Sequence, residues 1–258
     1  MAKWNAFPYD AGAYTHDAAA LQKHWARLHK GDAEPFPDDE AVQAAWALYH
    51  AGQFQEARDA GLKLGSAGLV VANKAQSIYA NYLETSEKDK LAMFLEVAER
   101  AAAQAKACPG LASAHYWMAY ALGRYGQGIS VAQALAQGLG DKVKVALETT
   151  IALAPGHSDA HIALGAFHAE VIDTVGRLLG QTQGVDTATG LKMFKEALAL
   201  NPDSAIARVE YANGLVMLEG DKRMQEAQAL YAEAAECQPL DAMERLDVEM
   251  AKAALEDE

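Results

Sequence analysis

The chain has 258 residues and a net charge of −13, from 35 acidic against 22 basic side chains. A field of that sign repels phosphate backbones and anionic headgroups, and no basic patch offsets it, so nucleic acid is not an expected partner. No run approaches the ~18 apolar residues of a membrane span, so membrane insertion is not expected.

The N-terminus, Met1-Ala-Lys-Trp-Asn-Ala-Phe-Pro, lacks a basic n-region followed by an apolar h-region. That reads as a cytoplasmic chain, and a chain trimmed of its signal would look the same, which leaves the periplasm open. Residues 15–30 read as a helix capped by Thr15, apolar at Leu21, Trp25 and Leu28. We take 1–38 as an N-terminal extension and cap helix. Residues 39–258 are read as a repeat domain of about five helix pairs. A helix from near Asp39 leads into Gly52-Gln-Phe54-Gln-Glu-Ala57-Arg. Residues 70–83 and 88–107 form the next pair, with a capping-box-like start at Ser86-Glu-Lys-Asp89. Ala is the leading apolar residue; it loses no side-chain entropy in a helix and lets helix axes approach, which favours a close-packed all-α fold.

Repeats emerge further along. Gly190-Leu-Lys-Met-Phe194-Lys-Glu-Ala197-Leu-Ala-Leu-Asn-Pro202 sets a small residue, an aromatic, an Ala and a Pro at fixed offsets. Ala227-Gln-Ala-Leu-Tyr231-Ala-Glu-Ala234-Ala-Glu-Cys-Gln-Pro239 repeats those offsets without a gap. Val143 to Pro155 fits more loosely, with Leu147 in the aromatic slot and Thr150 in the Ala slot. After each proline comes a first-helix half: Ala114…Met118-Ala119…Leu122, Ala160…Leu164-Gly165…His168 and Ala207…Tyr211-Ala212…Leu215. The small residues fall on one stripe, where a neighbouring helix packs. These are the offsets of the tetratricopeptide pattern. The expected fold is a right-handed superhelix of antiparallel helix pairs, a tetratricopeptide-like α-solenoid.

Prolines 109, 155, 202 and 239 are spaced by 46, 47 and 37 residues, against a usual period of about 34. The excess falls between the two helices of a repeat, as insertions over roughly 124–140 and 170–186. Insertions of that length are usually functional or disordered. These are apolar enough to pack, and Ile129, Val131, Leu135, Leu178 and Leu179 are expected to need burial.

The stretch from about Ser113 to Leu218 resembles a particular tetratricopeptide subfamily: the T component of TRAP transporters and the regulators of microtubule dynamics. The residues that carry the likeness are Ala119-Tyr-Ala-Leu-Gly-Arg124-Tyr125-Gly, Leu164-Gly-Ala-Phe-His168-Ala-Glu and Ala197-Leu-Ala-Leu-Asn-Pro202. The resemblance implies a helical scaffold that associates with partner proteins. For the transporter branch it implies an oligomer that holds apolar ligands.

The expected function is a non-enzymatic scaffold that binds a protein or peptide through a concave groove, with self-association compatible. The alternative is a small apolar-ligand-binding or transport accessory protein. Groove candidates follow from helical spacing: Tyr116, Tyr120 and Arg124, then His161 and Ile162, then Arg208 and Asn213. Tyr125 and Arg177 belong to the insertions. Tyr and Arg are common anchors because they add contact area with a polar handle. The competing reading is that Tyr116 and Tyr120 simply pack. His157 and His161 stand at i,i+4, but His157 is expected to precede its helix, so no metal site is expected. Gly123-Arg-Tyr-Gly-Gln-Gly follows a helix rather than a strand, which removes the context of a dinucleotide loop. No catalytic arrangement and no cofactor are expected. Cys108 and Cys237, each just before a proline, form no redox or zinc pattern.

Overall fold

The computed structural model describes residues 3–182 and 184–256; among them there are helices and no strand. The chain folds as two compact units. The first is built from residues up to His29, from Glu34–Ala154 and from Leu240–Met243. The second takes Lys30–Ala33, Pro155–Pro239 and the residues from Glu244 onward.

The first unit opens with α1 (Ala18–Leu28). Its cap is Asp17, which accepts a hydrogen bond from the Ala20 amide at 2.8 Å; the expected Thr15 cap lies three residues before the helix. Asp is acceptor-only and short, which suits it to that role. The hairpin α2 (Glu40–His50) and α3 (Phe54–Lys63) follows, then α4 (Leu69–Tyr82) and α5 (Glu87–Ala107), then α6 (Ala112–Gln127), a short α7 (Val131–Ala136) and α8 (Leu139–Leu153). Within each pair the helices pack on each other, and α3 packs on α4 as α5 packs on α6. Asp39 caps α2, and Ser86 caps α5 at the capping-box-like start expected for it.

The second unit pairs α9 (Ser158–Val175) with α11 (Thr187–Leu200) around a short α10 (Arg177–Thr182), and then α12 (Ala205–Glu219) with α13 (Met224–Ala235). The last helix, α14 (Ala242–Glu256), contributes Val248 and Ala251 to a cluster with Ala205, Val209 and Ala234.

The repeat offsets have a physical origin. Pro109, Pro155 and Pro202 directly follow the C-caps Cys108, Ala154 and Asn201, where proline stops a helix by lacking an amide hydrogen. The aromatic slot is filled by Phe194, fully buried, stacked on Tyr211 with ring centroids 5.4 Å apart. The helices on either side come close to it. A Cβ on Gly165 would sit 3.0 Å from the Phe194 ring, and one on Gly214 would sit 2.3 Å from it. Hydrogen at both positions leaves the ring its space. Thr150, in an Ala slot, is fully buried because its hydroxyl donates back to the Ala146 carbonyl at 2.8 Å.

Candidate functional site

The first four candidates lie on α6, in the first unit. Tyr116, Tyr120 and Arg124 share one face at i,i+4 spacing. Tyr116 is buried, its ring 4.9 Å from Trp117 and 6.1 Å from Tyr120. Tyr120 is half-buried and carries the Arg124 guanidinium 5.5 Å above its ring. Arg124 also donates to Gln127 Oε1 at 3.2 Å. Tyr125 is half-buried beside them. All four sit within the helix, because α6 continues to Gln127 before the insertion leaves it.

The first insertion differs from expectation. Ser130 and Gln133 form a reciprocal capping box that nucleates α7. On that helix Val131 is 50% exposed and Leu135 60% exposed, whereas the sequence reading expects both to be buried. The polar cap rather than an apolar core holds this helix in shape, and its two large apolar side chains, at i,i+4, share a face. Ile129 is half-buried, and Leu139 is buried as α8 begins after Gly138 in the left-handed region.

The second insertion also departs from its expected burial: Leu178 is 84% exposed, and the Leu179 side chain lies outside the described residues. The anchor is Val185, buried with Ala169, Ile172 and Leu218. Arg177 donates to the Leu218 carbonyl, where the last unpaired carbonyls of α12 favour a cation. Asp186 then caps α11. It accepts from the Thr189 hydroxyl at 2.6 Å and from the Thr189 amide at 2.9 Å, and these bonds hold its carboxyl below the usual carboxylate range. A depressed folded value means that its stabilisation is present at neutral pH and lost as pH falls through that value. Asp186→Ala is expected to cost about 1 kcal/mol and to flatten the acid limb of the stability curve. Urea titrations from pH 7 down to 3 check both.

The remaining candidates lie in the second unit. His157 caps α9, its Nδ1 accepting from the Ala160 amide at 3.1 Å. His161 is buried, with Nδ1 3.0 Å from the His157 carbonyl and Nε2 3.8 Å from Glu196. The Nδ1 atom of each ring is thus engaged at the start of α9. Among the described residues no group of three or more His, Cys, Asp or Glu is placed to hold a metal ion. Ile162 is buried against Ala197 and Ala207. Arg208 donates to Glu233 at 3.1 Å and to the Ser204 carbonyl at 3.0 Å, and Asn213 accepts from the Tyr231 hydroxyl. As they stand, Tyr116, His161 and Ile162 offer little surface, while Tyr120, Arg124, Tyr125 and Arg177 retain some.

Two features go beyond the sequence reading. A shallow depression of about 530 Å³, open to solvent, runs along α11 over Ala188, Leu191, Lys192, Lys195, Glu196 and Ala199. In the first unit, α4 buries an unusual polar stretch, Asn73, Lys74, Gln76 and Ser77. Arg100 on α5 donates to Asn73 Oδ1 at 2.6 Å and to Gln76 Oε1 at 2.9 Å.

No protein-family model and no curated protein matches the chain. Among solved structures it is similar to a thermophilic TPR protein of Thermus thermophilus, at 19% identity and a TM-score of 0.58, covering 83% of this chain and 98% of that one. With the paired helices and their phased prolines, this shows the fold: a tetratricopeptide-like helical solenoid. No helix among the described residues is long and apolar enough to cross a membrane.

Proposed function

We propose that the chain is a non-enzymatic scaffold that binds a protein or peptide partner, and that the first insertion is its main contact element. The observation that supports this reading is the pair Val131 and Leu135, held exposed on one face of a helix that its own capping box stabilises. Exposed apolar side chains cost solubility unless something covers them, and a contiguous patch marks an interaction site. Tyr120, Arg124 and Tyr125, at the end of α6, supply the amphipathic anchors that such contacts favour. The small-ligand alternative, in the manner of the transporter T components, calls for an enclosed apolar cavity. The depression along α11 does not favour it, being open and edged by Lys192 and Lys195.

The test is a double substitution, Val131→Asp with Leu135→Asp. Because both side chains are already exposed, the change in stability should stay within about 0.5 kcal/mol. Proteins captured by the wild-type chain under crosslinking should be lost from the variant. Retention of the same partners at the same yield would show that the contact lies elsewhere.

A further inference from the structure

Half of the histidines in this chain converge on one place in the first unit. His50, at the end of α2, is fully buried, and its Nδ1 stands 2.7 Å from Oδ2 of Asp241, itself only 1% exposed. Its other nitrogen, Nε2, stands 3.2 Å from Nε2 of His29, which is also buried. Trp25 stacks on His29 at 3.8 Å, and Trp46 stands edge-on to that ring at 4.6 Å. The His16 ring lies 6.3 Å from His50 and 5.9 Å from His24. Asp241 belongs to the short segment Leu240–Met243, which joins the first unit from near the opposite end of the sequence. Two further groups tie that segment to the cluster: the Tyr49 hydroxyl donates to Met243 Sδ at 2.9 Å, and the Leu240 carbonyl accepts from His16.

We propose that this cluster is a proton-sensitive clasp: at neutral pH it holds Leu240–Met243 against α2, and protonation of both His29 and His50 releases the segment. An ionised Asp241 accepts the Nδ1 proton of His50. The 3.2 Å gap between the two Nε2 atoms has room for one hydrogen, donated by whichever ring carries it. One added proton leaves every bond intact, because the resulting imidazolium faces the Asp241 carboxylate. A second added proton places two N–H donors head to head. It also places two cations on rings whose centroids are 5.1 Å apart, in a site removed from water, where like charges repel strongly.

The surroundings add to the penalty. Lys74 on α4 holds its ammonium 5.6 Å above the Trp46 ring and 5.1 Å above the Tyr49 ring. Those two rings border His50 directly. Burial, then the neighbouring His50 and His24, keep His16 below the ordinary histidine range. Its neutral form therefore stabilises the folded arrangement above the ordinary histidine pKa, and that contribution is lost as pH falls through the lowered value.

Hydrogen–deuterium exchange on the full chain at pH 7.5 and 5.0, corrected for intrinsic rates, tests the clasp. Protection of peptides covering Leu240–Met243 should fall at acid pH, by up to about tenfold per pH unit for each linked proton. The α9–α11 pair should keep its protection. His29→Gln, which takes up no proton, should remove most of the acid response while leaving the helical circular dichroism at pH 7.5 unchanged. Equal protection at both pH values, a loss spread evenly over the whole chain, or an undiminished response in His29→Gln would each overturn the proposal. Should His29→Gln fail to fold, Asp241→Asn serves instead. It keeps the acceptor but removes the compensating charge, so the midpoint of release should move to higher pH, and an unmoved midpoint would overturn the proposal equally.

Discussion

Replacing Phe194 by Ala is expected to destabilise the second unit by about 3–5 kcal/mol, the range for an aromatic removed from a close-packed core. The ring is fully buried, is stacked on Tyr211 and belongs to one buried cluster with Ala212, Leu215, Ala227 and Leu230. The space it leaves is walled by helices that cannot close on it, because they already approach through Gly165 and Gly214. Gly214→Ala has the opposite geometry, since its new methyl would stand 2.3 Å from the ring; overpacking of that kind costs about 1–3 kcal/mol. A smaller side chain at 194 should relieve it. The double variant Phe194→Leu with Gly214→Ala is therefore expected to be more stable than the sum of its single costs requires. Urea unfolding of the four chains measures that coupling, and strict additivity would mean that ring and glycine do not compete for one space.

The same contact explains why this half of the fold was legible. Helix pairs with short connections are local, so their signals stand next to each other in sequence: a proline after each C-cap, a small residue at each crossing, an aromatic between them. Even the departures stayed readable. Thr150 fits an Ala slot by bonding its own turn, and His168, in a slot usually taken by Tyr, is buried and accepts from the Asp186 amide at 3.0 Å.

Two kinds of feature were not legible. The first is exposure. Val131, Leu135 and Leu178 are apolar, and apolar residues usually mean burial, but a helix as short as α7 can be held by a polar cap and leave them outside. The second is long-range polar pairing. Nothing in the sequence near His50 points to Asp241, 191 residues away. Nor does periodicity explain Lys74, a buried cation seated over two aromatic rings. The candidate groove residues suffered from both: helical spacing named a face, but could not tell that Tyr116 and Ile162 on it were already covered.

The N-terminal arm is the largest feature of that second kind, and Trp4→Ala is expected to release it at a cost of about 3 kcal/mol, the lower end for a large aromatic. Trp4 stacks on Tyr79 of α4 at 4.1 Å with the rings 12° from parallel, and the Arg58 guanidinium lies 4.7 Å from its ring centre. The chain on either side is tied down by hydrogen bonds. The Trp4 amide donates to Gln55 at 3.0 Å, the Asn5 amide to the Tyr79 hydroxyl at 3.1 Å, and the Asn5 side chain to the Leu83 carbonyl at 2.8 Å. An arm of this length cannot hold itself without its anchor, because ordering each residue costs about 1–2 kcal/mol of conformational entropy. The buried indole offsets part of that cost, alongside Phe7 packed edge-on to Phe54 and the buried Tyr14. Tyr79 reports the outcome independently, since burial holds its hydroxyl above the ordinary tyrosine range. In Trp4→Ala that value should fall back toward the ordinary one, as read by absorbance at alkaline pH. An unshifted Tyr79 together with unchanged thermal stability would mean that the arm is held by its hydrogen bonds and by Phe7 and Tyr14, with the indole stack contributing nothing.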